Sequence, residues 1–314
     1  MINLSRLAAI FVAAILLHGP AYADVHMLYG TLHGTQTTPA AKIWIKGSSV
    51  RIEPSVNDSS SMKPLFILLD VHDATMTIVH PQQKRYVIMK KDELGQLAEH
   101  VDQRTRMALE NLRKTLSSED LPKQLKELLN AAEPLSARLA EEDNQGKTVK
   151  TKIKSGQRQS NAFKGKDCQQ WIVHDESKQI EDMFFCAIEY NRLGISDADF
   201  ATYRRAIMMQ LSWSSDLSRG AAAMIQLMDP TAQHVLQRAA VYESALNQLF
   251  DKNLLPVEGS DLNPAPVALS TQEPQKTKTS VLMKLSLEPI ETSWLSVPDD
   301  YQKIDPQDYI KARL

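Results

Sequence analysis

Residues 41–53 read AKIWIKGSSVRIE, and after a polar stretch the chain continues PLFILLDV at 64–71, ATMTIVH at 74–80 and KRYVIMK at 84–90. The first segment reads as a hairpin turning at Lys46-Gly47-Ser48-Ser49. Folded that way, Ile43 and Ile45 oppose Ile52 and Val50 on one face, while Trp44 opposes Arg51 on the other. The next three segments are short β-rich runs. They are joined by tight polar turns at His72-Asp73 and His80-Pro81-Gln82-Gln83, as in an antiparallel meander. Val25 to Gly34 supplies a further strand ahead of them.

From Asp92 the period changes. Leu94, Leu97, Val101, Ala108, Leu112 and Leu116 follow helical steps, and Leu121, Leu125, Leu128, Leu129, Leu135 and Leu139 follow in a second run. Asn144-Gln145-Gly146 returns the chain to strand. A second helical block opens at Ser196-Asp197 with Phe200, Tyr203, Ile207 and Leu211 in register, breaks at Asp229-Pro230 and resumes from Thr231 to Phe250. Residues 262–276, with Pro264, Pro266 and Pro274, read as a flexible linker. TSVLMKLSLEPIE at 279–291 reads as a last strand, and the tail WLSVPDDYQKIDPQDY as irregular. The fold class is therefore α+β. A curved antiparallel sheet draws strands from about 25–90, 148–190 and 279–291, with helical insertions at about 92–143 and 196–253. One domain over 24–314 is the most economical arrangement; a division near Asn144 is the alternative.

The first residues specify an address. Met1 to Arg6 carry one positive charge, Leu7 to Leu17 is the apolar run LAAIFVAAILL, and Ala21-Tyr22-Ala23 is an A-x-A pattern. These are the parts of a secretory signal peptide over 1–23, cleaved after Ala23, and they imply a periplasmic protein. An uncleaved interfacial anchor is the alternative. No second apolar run of membrane-spanning length follows, so no stable membrane span is expected. A net charge of −2 over 314 residues gives no reason to expect a nucleic-acid partner. A mean hydropathy of −0.31 argues against a polytopic membrane protein.

Cys168 and Cys186 are the two cysteines of the chain. CQQWIVH from 168 and IEDMFFCAIEY from 180 flank the polar turn 175–179, and folding symmetrically about Ser177 sets Cys168 directly opposite Cys186. A structural disulfide follows in an oxidising compartment. Redox catalysis or metal binding is the other reading, but C-x-x-C and zinc-ligand spacings are lacking.

Catalytic signatures are absent from the sequence: no G-x-S-x-G, no glycine-rich phosphate loop, no H-E-x-x-H. No cofactor or metal is implied, and the chain reads as non-catalytic, with an enzyme lacking a recognisable motif as the third reading. His72 and His80 flank one hairpin beside Asp70 and Asp73 and read as polar turn residues rather than ligands. Glu141-Glu142-Asp143 and Asp299-Asp300 read as solvated. Trp44 and Arg51 form a candidate cation–π pair at a recognition surface. Met208, Met209, Met224 and Met228 form a candidate apolar-ligand lining, with core packing as the default.

Four segments carry a resemblance: IWIKGSSVRIE (43–53), HPQQKRYVIM (80–89), FKGKDCQQWIV (163–173) and SVPDDYQKI (296–304). With Arg51, Tyr86, Gly165, Cys168, Trp171, Pro298 and Tyr301 at the matching places, the chain resembles a family of exported bacterial domains of unknown function. That family is related to the LolA/LolB-like half-barrel carriers of lipids and lipoproteins. The resemblance implies an open curved sheet wrapped around helices with an apolar interior, and no established activity. Two functions are then expected. The first is a periplasmic binding or carrier module whose apolar cleft takes a lipid, acyl chain or lipoprotein segment. The alternative is an interaction protein docking an envelope protein through its helical insertions.

Overall fold

The computed structural model describes residues 24–33, 36–54, 65–93, 151–163, 166–175, 180–228, 232–261 and 279–311, with 95, 96, 103, 104, 107 and 111 also described as helical. The expected signal peptide at 1–23, the second helical pattern at 121–139 and the proline-rich 262–276 lie outside the described residues. The first helical pattern is described only at isolated positions.

Twelve strands form one curved, unclosed sheet. In chain order they are β1 (Val25–His33), β2 (Gln36–Lys46), β3 (Ser49–Pro54), β4 (Phe66–Asp70), β5 (Thr75–His80), β6 (Arg85–Lys90), β7 (Thr151–Phe163), β8 (Lys166–Asp175), β9 (Ile180–Glu189), β10 (Leu254–Asp261), β11 (Thr279–Ser286) and β12 (Gln302–Ile304). Their order across the sheet is β12-β6-β5-β4-β3-β2-β1-β11-β10-β9-β8-β7. Strands from both sides of Asn144 therefore share one sheet. All neighbours are antiparallel except β12, which adds to β6 in parallel.

The hairpin β2–β3 has the register the sequence implies: Ile43 pairs with Ile52, Trp44 with Arg51 and Ile45 with Val50. Its two-residue turn needs a positive φ at the first position, and Gly47 sits at +60°. Alternation then propagates strand by strand. Val25, Ile45, Val50, Leu69, Met76 and Met89 are successive cross-strand partners on one face, and all are buried.

The helix pair α1 (Asp197–Met228) and α2 (Ala232–Asp251) covers this face, α1 against β2 and β3, α2 against β7 and β10. Ser196 caps α1 by accepting the Asp199 amide at 3.2 Å. At the other end of the pair Asn253 takes φ +60°, the left-handed conformation that closes a helix. No described helix is long and apolar enough to cross a membrane.

Three sequence expectations are corrected, and one unassigned stretch is filled. LLPVEGSD at 254–261, unassigned in the sequence, is the strand β10 between β9 and β11. Pro256 and Gly259 mask it, yet Pro256 falls beside a register shift where the ladder loses a bond anyway. The last strand ends at Ser286 rather than Glu291. The tail is not irregular. It contains a 3-10 turn at Thr292–Leu295, the three-residue β12 and the helix α3 (Pro306–Lys311). Asp305 accepts the Gln307 amide at 2.8 Å, and Pro306 occupies the first helical turn, where its missing N–H costs nothing.

Finally, the cysteines are joined but not directly opposed. Their Cα atoms are 5.4 Å apart and both are buried, while the residue facing Cys186 on β8 is Gln170. The closing pair Asp175–Ile180 and the bulge after Val173 each move the register by one residue, so the bridge runs diagonally. We expect alkylation of the unfolded chain to add mass at both cysteines only after reduction. Removing the bridge should cost about 3 kcal/mol in urea unfolding.

The outer edge of β7 is met at its first residues by a side chain. Gln248 of α2 donates to the Thr151 carbonyl at 2.9 Å, and its own Oε1 accepts the Ile153 amide at 3.2 Å. Its carboxamide thus takes the place of a peptide group on a neighbouring strand. Gln248→Ala should cost about 1–3 kcal/mol by leaving these groups unpaired, with faster hydrogen exchange at Ile153 as the local sign.

Candidate functional site

Where the helix pair stands off the sheet, a cleft of about 360 Å³ opens. One wall is the sheet, with Tyr29, Ala41, Ile43 and Ile52 from β1–β3 and Met183 and Phe185 from β9. The other is helical: Tyr203, Ile207 and Gln210 recur on one face of α1, facing Tyr242 and Leu246 of α2. Pro256, Glu258, Gly259 and Ser260 of β10 and Ser280 of β11 complete it. Gly259 lets the wall close up, since a Cβ there would lie 3.1 Å from the Phe185 ring.

The polar groups at the cleft form an ordered set. Tyr29 donates its hydroxyl to the Pro256 carbonyl at 3.1 Å, leaving its oxygen to accept from Tyr203 at 3.4 Å. Burial pushes both phenols well above the usual range, so both stay neutral and act only as hydrogen-bonding groups. An apolar body with a few convergent polar groups is the usual make-up of a small-ligand pocket, and this one lies at the small end of the size range.

Met208 and Met209 of α1 are not among the residues that line this cleft. Met208 and Met209 pack half-buried against the core; Met224 and Met228 lie on α1, and their side chains are outside the described residues. The cleft lining was not singled out in the sequence. Its residues come from six strands and two helices, and only Ile43, Ile52, Tyr203 and Ile207 carried a periodic signal.

Trp44 and Arg51 lie on the opposite face of the sheet. His26, Trp44 and Arg51 are cross-strand neighbours. His26 stacks on Trp44 with centroids 4.9 Å apart, and Trp294 of the tail covers Trp44 at 5.6 Å. Trp44 is therefore buried, and Trp294 is the exposed indole, at 46%. The Arg51 guanidinium lies 5.4 Å from each indole but closest to Phe66, at 3.7 Å. It donates to the Trp294 carbonyl at 3.0 Å and to Glu53 at 2.8 Å. Arg51 thus pins the tail to the outer face.

His72 and His80 do not converge. His72 is exposed in its turn beside Asp73, whereas His80 is buried at the end of β5 with its Nε2 3.0 Å from the Tyr309 hydroxyl. His80 is thus a packing residue under α3 rather than a turn residue. No group of three or more metal-ligating side chains is gathered among the described residues.

Three of the segments that carry the resemblance bear on one another or on the tail. Arg51 holds Trp294. HPQQKRYVIM and SVPDDYQKI meet directly, as the Gln302 amide donates to the Lys84 carbonyl at 2.8 Å and Tyr301 reaches the Pro81 carbonyl at 3.5 Å. Compared with protein-family models and with curated proteins, the chain matches none.

His26 carries a titration consequence. Its Nε2 is buried without a partner, and burial, then Lys284 and Lys42, lower its pKa below 6.5 against a weaker opposing effect of Glu288. Below pH 6.5 the unfolded chain takes a proton that the folded chain declines, so this site's contribution to stability falls as pH is lowered. We expect urea midpoints to decline from pH 7 to 5, and His26→Gln to flatten that decline.

Proposed function

We propose that this protein is a non-catalytic, exported binding or carrier module whose cleft holds the apolar part of a lipid, an acyl chain or a lipoprotein segment. The observation that carries the reading is the cleft itself, apolar along Ile43, Ile52, Phe185 and Leu246 and bounded by the neutral Tyr29–Tyr203 pair. The leader over 1–23 and the buried Cys168–Cys186 bridge support export to an oxidising compartment such as the periplasm. The curved sheet around helices agrees with the half-barrel that the LolA/LolB-like resemblance implies, and the relation to those carriers belongs to this proposal.

Docking of an envelope protein through the helical insertions is the alternative. Among the described residues the large apolar side chains exposed beyond a third are Leu65, Met107, Tyr242, Leu287 and Trp294, one from each of five separate segments.

The test is mass spectrometry of protein purified without detergent, native and then after solvent extraction, paired with binding of the apolar dye N-phenyl-1-naphthylamine. A stoichiometric lipid, and dye binding weakened about tenfold or more by Ala41→Phe at the cleft wall, are expected. A ligand-free mass together with dye binding indifferent to that substitution would overturn the carrier reading.

A further inference from the structure

Asp199, in the first turn of α1, is fully buried. Its Oδ2 is bonded to the Ser196 hydroxyl, but its Oδ1 has no hydrogen-bond partner. A buried carboxylate oxygen left alone is costly, and few such groups persist in folded proteins. Its surroundings are specific. One turn further along α1, Thr202 donates to the Gly47 carbonyl at 2.8 Å. Lys46, the preceding residue, donates to Asp24 Oδ2 at 3.1 Å and to the Ile290 carbonyl at 2.6 Å. Asp24 immediately precedes the Val25–Ile45 pair that starts β1, and it also accepts the Ile290 amide. The head of β1, the β2–β3 turn and the start of α1 therefore meet at one place.

The charges there do not balance. Asp24 and Asp199 are both buried, at 7% and 0% exposure, and Lys46 is the cation paired with Asp24. Burial chiefly, and the Asp24 carboxylate in addition, raise the Asp199 pKa. Asp24 is also the residue that cleavage after Ala23 would make the first of the chain. Its backbone nitrogen would then be an α-ammonium, with a pKa of about 8, instead of a neutral amide.

We infer that Asp199 is the receiving site for the α-ammonium that cleavage after Ala23 leaves on Asp24. The inference rests on the export reading above and on no assumption about the cleft. Two carboxylates then face two cations, and Asp199 Oδ1 gains a charged donor. The intact 23–24 peptide bond supplies no such charge, so removing the leader adds stability to the fold and ties the head of β1 to α1.

The experiment uses the exported chain. Intact mass fixes its first residue. Urea unfolding then compares it with a Gly-Ser insertion between Ala23 and Asp24, with Asp199→Asn, and with both changes together. Acylation of the α-amine at neutral pH is followed in the folded wild type and in Asp199→Asn. The insertion and Asp199→Asn should each lower the folding equilibrium constant at least about tenfold, with little further loss on combining them. The wild-type α-amine should react more slowly than that of Asp199→Asn. A first residue other than Asp24 overturns both the cleavage reading and this inference. A chain starting at Asp24 whose stability the insertion leaves unchanged, whose losses add, or whose α-amine reacts equally in both forms overturns this inference alone. Should Asp199→Asn fail to fold, the insertion decides by itself.

Discussion

A row of apolar side chains from Val25 through Ile45, Val50, Leu69 and Met76 to Met89 crosses six strands on one face, each the direct partner of the next. Slipping any strand by one residue would turn its members to the other face, so the row sets register across half the sheet. It also creates a demand. Such a face leaves water only beneath a second layer, which α1 supplies over β2 and β3 and α2 over β7 and β10. A beside row, Met27–Ile43–Ile52–Ile67, runs parallel to it. The cleft opens where Ile43 and Ile52 of that row face Tyr203 and Ile207 across a gap.

The opposite face is closed by different means. His26, Trp44 and Arg51 are too polar for an unaided core, so the tail crosses over them. Lys46 holds the tail at Ile290, Arg51 holds it at Trp294, and Lys84 pairs with Asp300 where it reaches the far edge. The last of these is exposed and adds little, whereas the Arg51 contacts, sandwiched among rings, are the stronger anchor. β12 then covers the edge of β6, as Gln248 meets that of β7 at its first residues. Both edges carry a device that blunts strand addition.

Legibility followed the range of the interaction. The β2–β3 hairpin, the meander and the helix pair were readable because their signals repeat every two or every 3.6 residues within one segment. β10 was not, since Pro256 and Gly259 spoil its alternation and only β9 and β11 supply its partners. β12 is too short to show a period. The cysteine pairing was readable, but its diagonal geometry depended on a bulge after Val173 that no local residue pattern announces. Trp44 opposite Arg51 was also legible. That Trp44 is buried was not, because the ring covering it lies far along the chain.

What the sequence determined by itself is the alternation of β1–β6, the helical face of α1, the extent of α2, and the cysteine pair within one hairpin. Each rests on backbone geometry that neighbouring residues share. Tertiary structure alone decided the cleft, the course of the tail and the meeting of Asp24, Lys46 and Asp199. These join groups separated by long stretches of chain, and they come together only once the apolar rows have been covered. Burial then sets their chemistry, because a carboxylate or phenol behaves differently once water is removed from it.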